Sequence, residues 1–379
     1  STTSTSTATS SSAKIRGRAS SSSTACNYPR KPQALESQKR YLVLAEGRSG
    51  DEHYGKTMRG IVHYGPHPVV AILDSTKAGE SYEGIPIVAR VEEALPLGPT
   101  TAAVGVATQG GRFPHAWREL LKDSIRAGLD LESGLHELIS DDPELAALAD
   151  EHGVELRDLR KPPADLSVPT GENLSVPGTI VLTVGSDCAI GKKTVAVELD
   201  RAAQRRGLKS VFVPTGQTGI WIAGWGIAID AVVSDFLAGA AERLVIEGAA
   251  RGGELLWVEG QGSLVHPAYS GVTMGLMHGA APHAFVLVHK ARTTHTEGYP
   301  DHPLPPLPEL IELHERASLA LRRAKVVAIA LHTGALEEDE ARAEIAEVAE
   351  ETELPVDDPV RFGADTLLDA VLERSRGLR

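Results

Sequence analysis

The stretch Gly185-Ser186-Asp187-Cys188-Ala189-Ile190-Gly191-Lys192-Lys193-Thr194 constrains this chain more than any other. It follows the apolar run 178–184 and precedes a helix-like segment, Val195 to Arg206. Strand, glycine loop, lysine and helix together form a phosphate-binding P-loop. Successive backbone N–H groups face an anion, the helix N-terminus adds partial positive charge, and the lysine reaches the anion's oxygens. Two departures matter. In the usual spacing the first glycine lies five positions before the second, where this chain has Ser186; Gly185 is six before Gly191. The residue after the loop lysine normally offers a Ser or Thr hydroxyl to Mg²⁺. Here that residue is Lys193, with Thr194 one step late. The phosphate cradle is kept, and the magnesium site is put in question.

The rest of the chain repeats the strand–loop–helix rhythm, which predicts α/β folding around parallel sheets. Strands are expected at 39–47, 69–74, 86–88 and 101–107, with helices from Val91 and over 114–127. Beyond the P-loop they are expected at 209–214, 254–259, 284–290 and 325–331. In such sheets ligands bind at the carboxyl edge. The loops 215–219 and 260–263 empty there, beside Asp230 and Asp235. The expected organisation is a tail over 1–38, a first domain over 39–160, a polar, proline-containing linker over 161–177 and a P-loop domain over 178–379.

Composition excludes several classes. The net charge is −13, while residues 1–40 hold seven Lys and Arg against the single acid Glu36. The remainder is more acidic still, which argues against a nucleic-acid partner. No apolar run reaches the ~18 residues that span a bilayer, so no membrane partner is expected. Cys26 and Cys188 cannot build a disulfide framework, which fits a reducing, cytoplasmic setting. Sixteen of the first 24 residues are Ser or Thr, a composition that cannot bury a core and is superficially similar to an organellar transit peptide. A homo-oligomer is left open.

Joint motifs then carry a family resemblance. Residues 185–192 with Glu259-Gly260-Gln261-Gly262 are similar to dethiobiotin synthetase and its P-loop relatives. The chain more closely resembles a two-domain P-loop family, long of unknown function, that includes D-glutamate N-acetyltransferases. The matching segments are 185–192, Thr215-Gly216-Gln217-Thr218-Gly219, Glu259 to Leu264, His266-Pro267 and Asp358 to Gly363. The resemblance spans about residues 40–375 and implies an N-terminal Rossmann-like domain followed by a P-loop NTPase-like parallel-sheet domain. It also implies acetyl transfer from acetyl-CoA to an acidic amino acid such as D-glutamate.

The residues are consistent with either of two cofactors at the P-loop, acetyl-CoA or ATP with Mg²⁺. Lys193 in place of the magnesium hydroxyl favours CoA, because a thioester needs no metal. Gly185, Ser186, Asp187, Cys188, Ala189, Ile190, Gly191, Lys192, Lys193 and Thr194 are the expected cofactor contacts. Acetyl transfer to an amine also needs a base, N–H donors for the thioester oxygen and a cation for substrate carboxylates. His266 is the expected base, with Glu259 as its orienter or its rival. Thr215, Gln217, Gln261, Lys290 and Arg292 are the expected substrate contacts, Arg292 as the carboxylate clamp. His278 and His283 do not have the i, i+4 spacing of a helical zinc pair, so no bound metal is expected. Cys188 is a candidate nucleophile if its thiol pKa is lowered. Trp221 and Trp225 are candidates either to close over a ligand or to fill the core. The runner-up functions are an ATP-dependent ligase and a nucleotide-sensing regulator.

Overall fold

A computed structural model of the protein describes residues 39–51 and 54–377. The Ser/Thr-rich segment, its transit-peptide similarity and Cys26 lie outside the described residues.

The first lobe alternates β1 (Tyr41–Leu44), α1 (Lys56–Tyr64), β2 (Val69–Leu73), β3 (Ser81–Tyr82), β4 (Ile85–Val88), α2 (Val91–Ala94), β5 (Thr101–Val104), α3 (Trp117–Arg126), β6 (Asp130–Ser133), α4 (Pro143–His152) and β7 (Leu156–Asp158). These strands form one sheet in the order β3-β4-β2-β1-β5-β6-β7. All neighbours run parallel except β3 and β4. Every residue of β1 and β5 is buried, as expected where helices cover both faces of a parallel sheet.

The second lobe runs β8 (Thr179–Gly185), α5 (Lys192–Arg205), β9 (Ser210–Val213), α6 (Gln217–Ala223), α7 (Ser234–Ala250), β10 (Leu255–Val258), α8 (Ser270–Ala280) and β11 (Ala284–Lys290). A hairpin of β12 (His295–Thr296) and β13 (Tyr299–Pro303) follows, then α9 (Leu307–Ala317), β14 (Lys325–His332), α10 (Glu338–Thr352), β15 (Val356–Asp357) and α11 (Asp365–Arg374). The sheet is parallel throughout, in the order β15-β14-β11-β8-β10-β9. Alternation along β8 divides the core. Ile180, Leu182 and Val184 pack on one face with α7 and α8, and Val181 packs on the other with α5 and α11, as a period of two requires. Central β8 thus delivers the P-loop to the middle of the sheet edge, with β10 and β11 on either side. The molecule is α/β, a Rossmann-like lobe followed by a P-loop lobe.

The lobes share core. Ile220 and Trp221 of α6 pack into the first lobe's apolar cluster. The Trp221 indole N–H donates to Glu132 Oε2 at 2.8 Å. Glu132 also accepts from Lys39 (2.6 Å), Tyr41 (3.0 Å) and Arg157 (3.2 Å). Burial works against its charge, yet these donors hold its carboxyl below the ordinary value. The indole is therefore a structural pin and does not cover a ligand. Trp225 likewise lies under the Arg251 guanidinium, 4.4 Å from its ring centre. A second crossing comes from α1, where Tyr64 receives Arg201 of α5 over its ring at 4.6 Å. The expected linker is docked too, since the buried Glu242 of α7 accepts the N–H groups of Thr170 and Gly171, both at 2.6 Å.

Candidate active site

The P-loop keeps its form. It turns through left-handed backbone at Ala189 (φ 53°) and Gly191 (φ 106°) before α5 begins at Lys192. Lys192 is buried and donates from Nζ to the Asp187 carbonyl at 2.5 Å. Burial brings its ammonium down to about 8. The Asp187 side chain accepts the N–H of Cys188 (2.6 Å) and of Glu297 in the β12–β13 turn (2.7 Å). It ties the hairpin to the loop, and both its oxygens are engaged. Ser186 Oγ meets His289 Nδ1 at 2.8 Å.

Glu259 follows β10, directly beside the strand that carries the loop, with Val258 opposite Leu182. Its Oε2 accepts the N–H groups of Thr215 (2.9 Å) and Gly216 (3.0 Å), and the Thr215 hydroxyl donates to the Glu259 carbonyl at 2.7 Å. The carboxylate lies so close to α6 that a methyl group on Gly219 would overlap Oε2. Only 5% of Glu259 is exposed. Burial pushes its carboxyl up to about 7, against the opposing pull of Lys193 and the two amides. Lys193, on the first turn of α5, is its electrostatic partner; burial lowers that ammonium to about 8, with Glu259 opposing and Lys56 and Arg59 reinforcing. Lys193 does not run along the helix surface. Its Nζ comes within 2.9 Å of where a side chain on Gly60 would begin, so α1 crosses directly over it.

That crossing brings first-lobe cations to the P-loop. Lys56 opens α1, stays solvent-accessible in the cleft, and interacts with Glu297, Cys188 and Arg160. Partial burial of its ammonium group lowers the pKa, with Glu297 and Cys188 opposing and Arg160 reinforcing. Next to it, the Thr57 hydroxyl meets that of Thr218 on α6 at 3.5 Å. Arg160 donates from Nε to the Gly134 carbonyl at 2.5 Å and pairs with Asp230, which also lies 4.0 Å from His136 Nε2. Gln217 packs against Gly134, and its Oε1 is buried without a partner among the described residues.

His266 is buried between Tyr269 and Tyr299, at 4.8 and 5.2 Å between ring centres. Its Nδ1 accepts the Ala268 N–H at 3.1 Å. With Nδ1 so engaged, Nε2 is the ring atom left to meet a ligand. The ligating atoms of Asp187, Cys188 and His266 lie within 4.8 Å of one another, so this trio is the group among the described residues that could hold a metal ion. His–His spacing did not reveal it. The Asp187 hydrogen bonds oppose ligation there. Burial raises the Cys188 thiol to about 11, the opposite of an activated nucleophile.

Comparison with known proteins identifies the scaffold. Residues 167–368 match the family model described as a domain of unknown function, the DUF1611_C P-loop domain. Residues 74–162 match DUF1611_N, a Rossmann-like domain. The chain belongs to the DUF1611 family. A crystal structure of a DUF1611 family protein from Anabaena variabilis superposes with a TM-score of 0.84 at 41% identity, covering 88% of this chain and 99% of that one. A D-glutamate N-acetyltransferase from Tritonibacter scottomollicae is 42% identical over 285 residues, 74% of this chain and 84% of the relative. Another, from Pseudoalteromonas sp, is 35% identical over 279 residues, 73% and 82% respectively.

Within this DUF1611 chain the expected site residues separate into two groups. The loop residues, Glu259, Thr215 and Gln261 come together, with Gln261 Nε2 3.4 Å from the Thr215 hydroxyl, while the Gln217 side chain turns to Gly134. Thr215 serves as an anchor for Glu259. Lys290 is exposed at the end of β11. Arg292 is exposed and paired with Glu340 (3.4 Å) and Glu344 (3.3 Å) of α10. Its guanidinium is engaged by these glutamates, so it is a poor clamp for a substrate carboxylate. The first-lobe basic residues beside the site, Lys56 and the Asp230-paired Arg160, were missed. Lys56 stands at the start of a helix marked only by Met58 and Ile61, and Arg160 at the edge of what reads as linker.

Proposed function

We propose that this protein transfers an acetyl group from acetyl-CoA to the amine of an acidic amino acid such as D-glutamate. The observation that carries this reading is Glu259, a buried carboxylate at about 7 beside an anion-binding loop, where a general base for neutral pH belongs. The names of the two relatives support the same reaction. So does Lys193, whose ammonium faces Glu259 from the position of the usual magnesium hydroxyl.

In this reading Glu259 takes a proton from the acceptor's ammonium. The freed amine attacks the thioester carbonyl carbon and forms the new C–N bond. Negative charge gathers on the carbonyl oxygen, for which the His266 Nε2–H is a suitable donor. Collapse breaks the C–S bond, the amine's remaining excess proton passes to the departing thiolate, and the products are the N-acetyl amino acid and CoA. The test is release of CoA thiol with D-glutamate, L-glutamate, D-aspartate and neutral amino acids as acceptors. Turnover confined to acidic acceptors is the expected result. ATP hydrolysis that depends on Mg²⁺ and on the acceptor, with acetyl-CoA untouched, would overturn the reading.

A further inference from the structure

Acyl transfer places a geometric demand on the cleft: one amine must reach both the base and the thioester carbon. Glu259 leaves the strand paired with β8 and couples to Lys193 on the first turn of α5. The base therefore belongs to the P-loop's own surroundings. In CoA the thioester and the phosphates stand at opposite ends of the pantetheine arm. A CoA phosphate seated in the loop would leave Glu259 among phosphates, an arm's length from the acetyl group. An α-amino acid removes this conflict, because its carboxylate and its amine share one carbon.

We propose that the P-loop, with Lys192, Lys193 and the lobe-crossing Lys56, binds the carboxylates of the amino-acid acceptor, and that the phosphates of CoA bind outside the loop. The inference rests on the acetyl-transfer reading and on Glu259 as its base. Its geometric support is the crossing of α1. Gly60 lets the helix lie against Lys193 Nζ, Thr57 meets Thr218, and Lys56 is brought beside Cys188 and Glu297. Lys56 repels both Lys192 and Lys193, and an anion among them relieves that repulsion.

The experiment is calorimetric titration of the full chain with D-glutamate and, separately, with adenosine 3′,5′-bisphosphate, the nucleotide end of CoA. Lys56→Gln changes an accessible side chain, and circular dichroism confirms that it folds. D-glutamate affinity should fall about ten- to a hundredfold, as for loss of a charge-assisted hydrogen bond, while nucleotide affinity stays within about twofold. Steady-state KM values for D-glutamate and acetyl-CoA should split the same way. The reverse pattern, or unchanged D-glutamate binding and KM, would overturn the assignment. Wild-type turnover separates the two readings. Absence of CoA release with every acidic amino acid refutes the transfer reading. Normal turnover with no acceptor defect in Lys56→Gln refutes the loop assignment alone.

Discussion

Replacing Glu259 by Gln should remove the acid limb of the pH–rate profile. The carboxyl titrates at about 7 because it is buried, with Lys193 and the Thr215 and Gly216 amides pulling it down and Asp230 pushing it up. Each pH unit below 7 protonates about nine-tenths of the remaining base, so wild-type kcat should fall about tenfold per unit on the acid side. The upper limb should reflect Lys193 at about 8. Because the two groups interact, both limbs belong to the pair. Glu259→Gln keeps the shape and one acceptor oxygen for the loop amides but cannot take a proton. The expected loss in kcat is about 10²–10⁴, or about 3–5 kcal/mol of transition-state stabilisation. Lys193→Met makes the complementary change. Without the cation the carboxyl pKa rises, so the acid limb should move to higher pH and kcat at neutral pH should drop. The assay is CoA thiol release from about pH 5 to about pH 9, spanning both limbs. A Glu259→Gln enzyme that keeps near-normal kcat with an unshifted acid limb would refute the reasoning.

Trp221→Phe removes one of four donors to the buried Glu132 and should cost about 1–3 kcal/mol in urea unfolding, while kcat/KM changes little. Chelation by EDTA should leave turnover intact; loss of activity restored by added Zn²⁺ would instead implicate the Asp187, Cys188 and His266 trio. Arg292→Ala should leave both KM values unchanged, since the guanidinium is held by Glu340 and Glu344. A selective rise in KM for dicarboxylates would restore Arg292 as the clamp.

What was legible in the sequence was local. The run from Thr179 through Lys192 declares strand, loop and helix in consecutive residues, and β10, β11 and β14 are continuous apolar stretches of strand length. Glu259 and the 215–219 loop could be placed at one edge because each ends such a stretch. The other half of the site depends on contacts between distant segments. Asp187 is satisfied by an amide 110 residues away, and α1 meets α6 through Thr57 and Thr218, 161 residues apart. Nothing near Lys56 in the sequence shows that it faces the P-loop. Nor does residue type reveal direction: His266 has a base's side chain, but one backbone N–H two positions on engages its Nδ1. Arg292 shows the converse, a well-placed charge claimed by a helix that begins 46 residues later.

The indole of α6 sunk into the first lobe bears on how the protein handles its ligands. Enzymes that close like jaws open a wet, polar seam between rigid bodies. Here opening would drag Trp221 and Ile220 out of an apolar core and strip Glu132 of a donor. Separation of the lobes is therefore opposed by apolar burial as well as by a buried hydrogen bond. The join that brings Lys56 of the first lobe to the P-loop thus resists opening, and the proposed acceptor must fit a site assembled before it arrives.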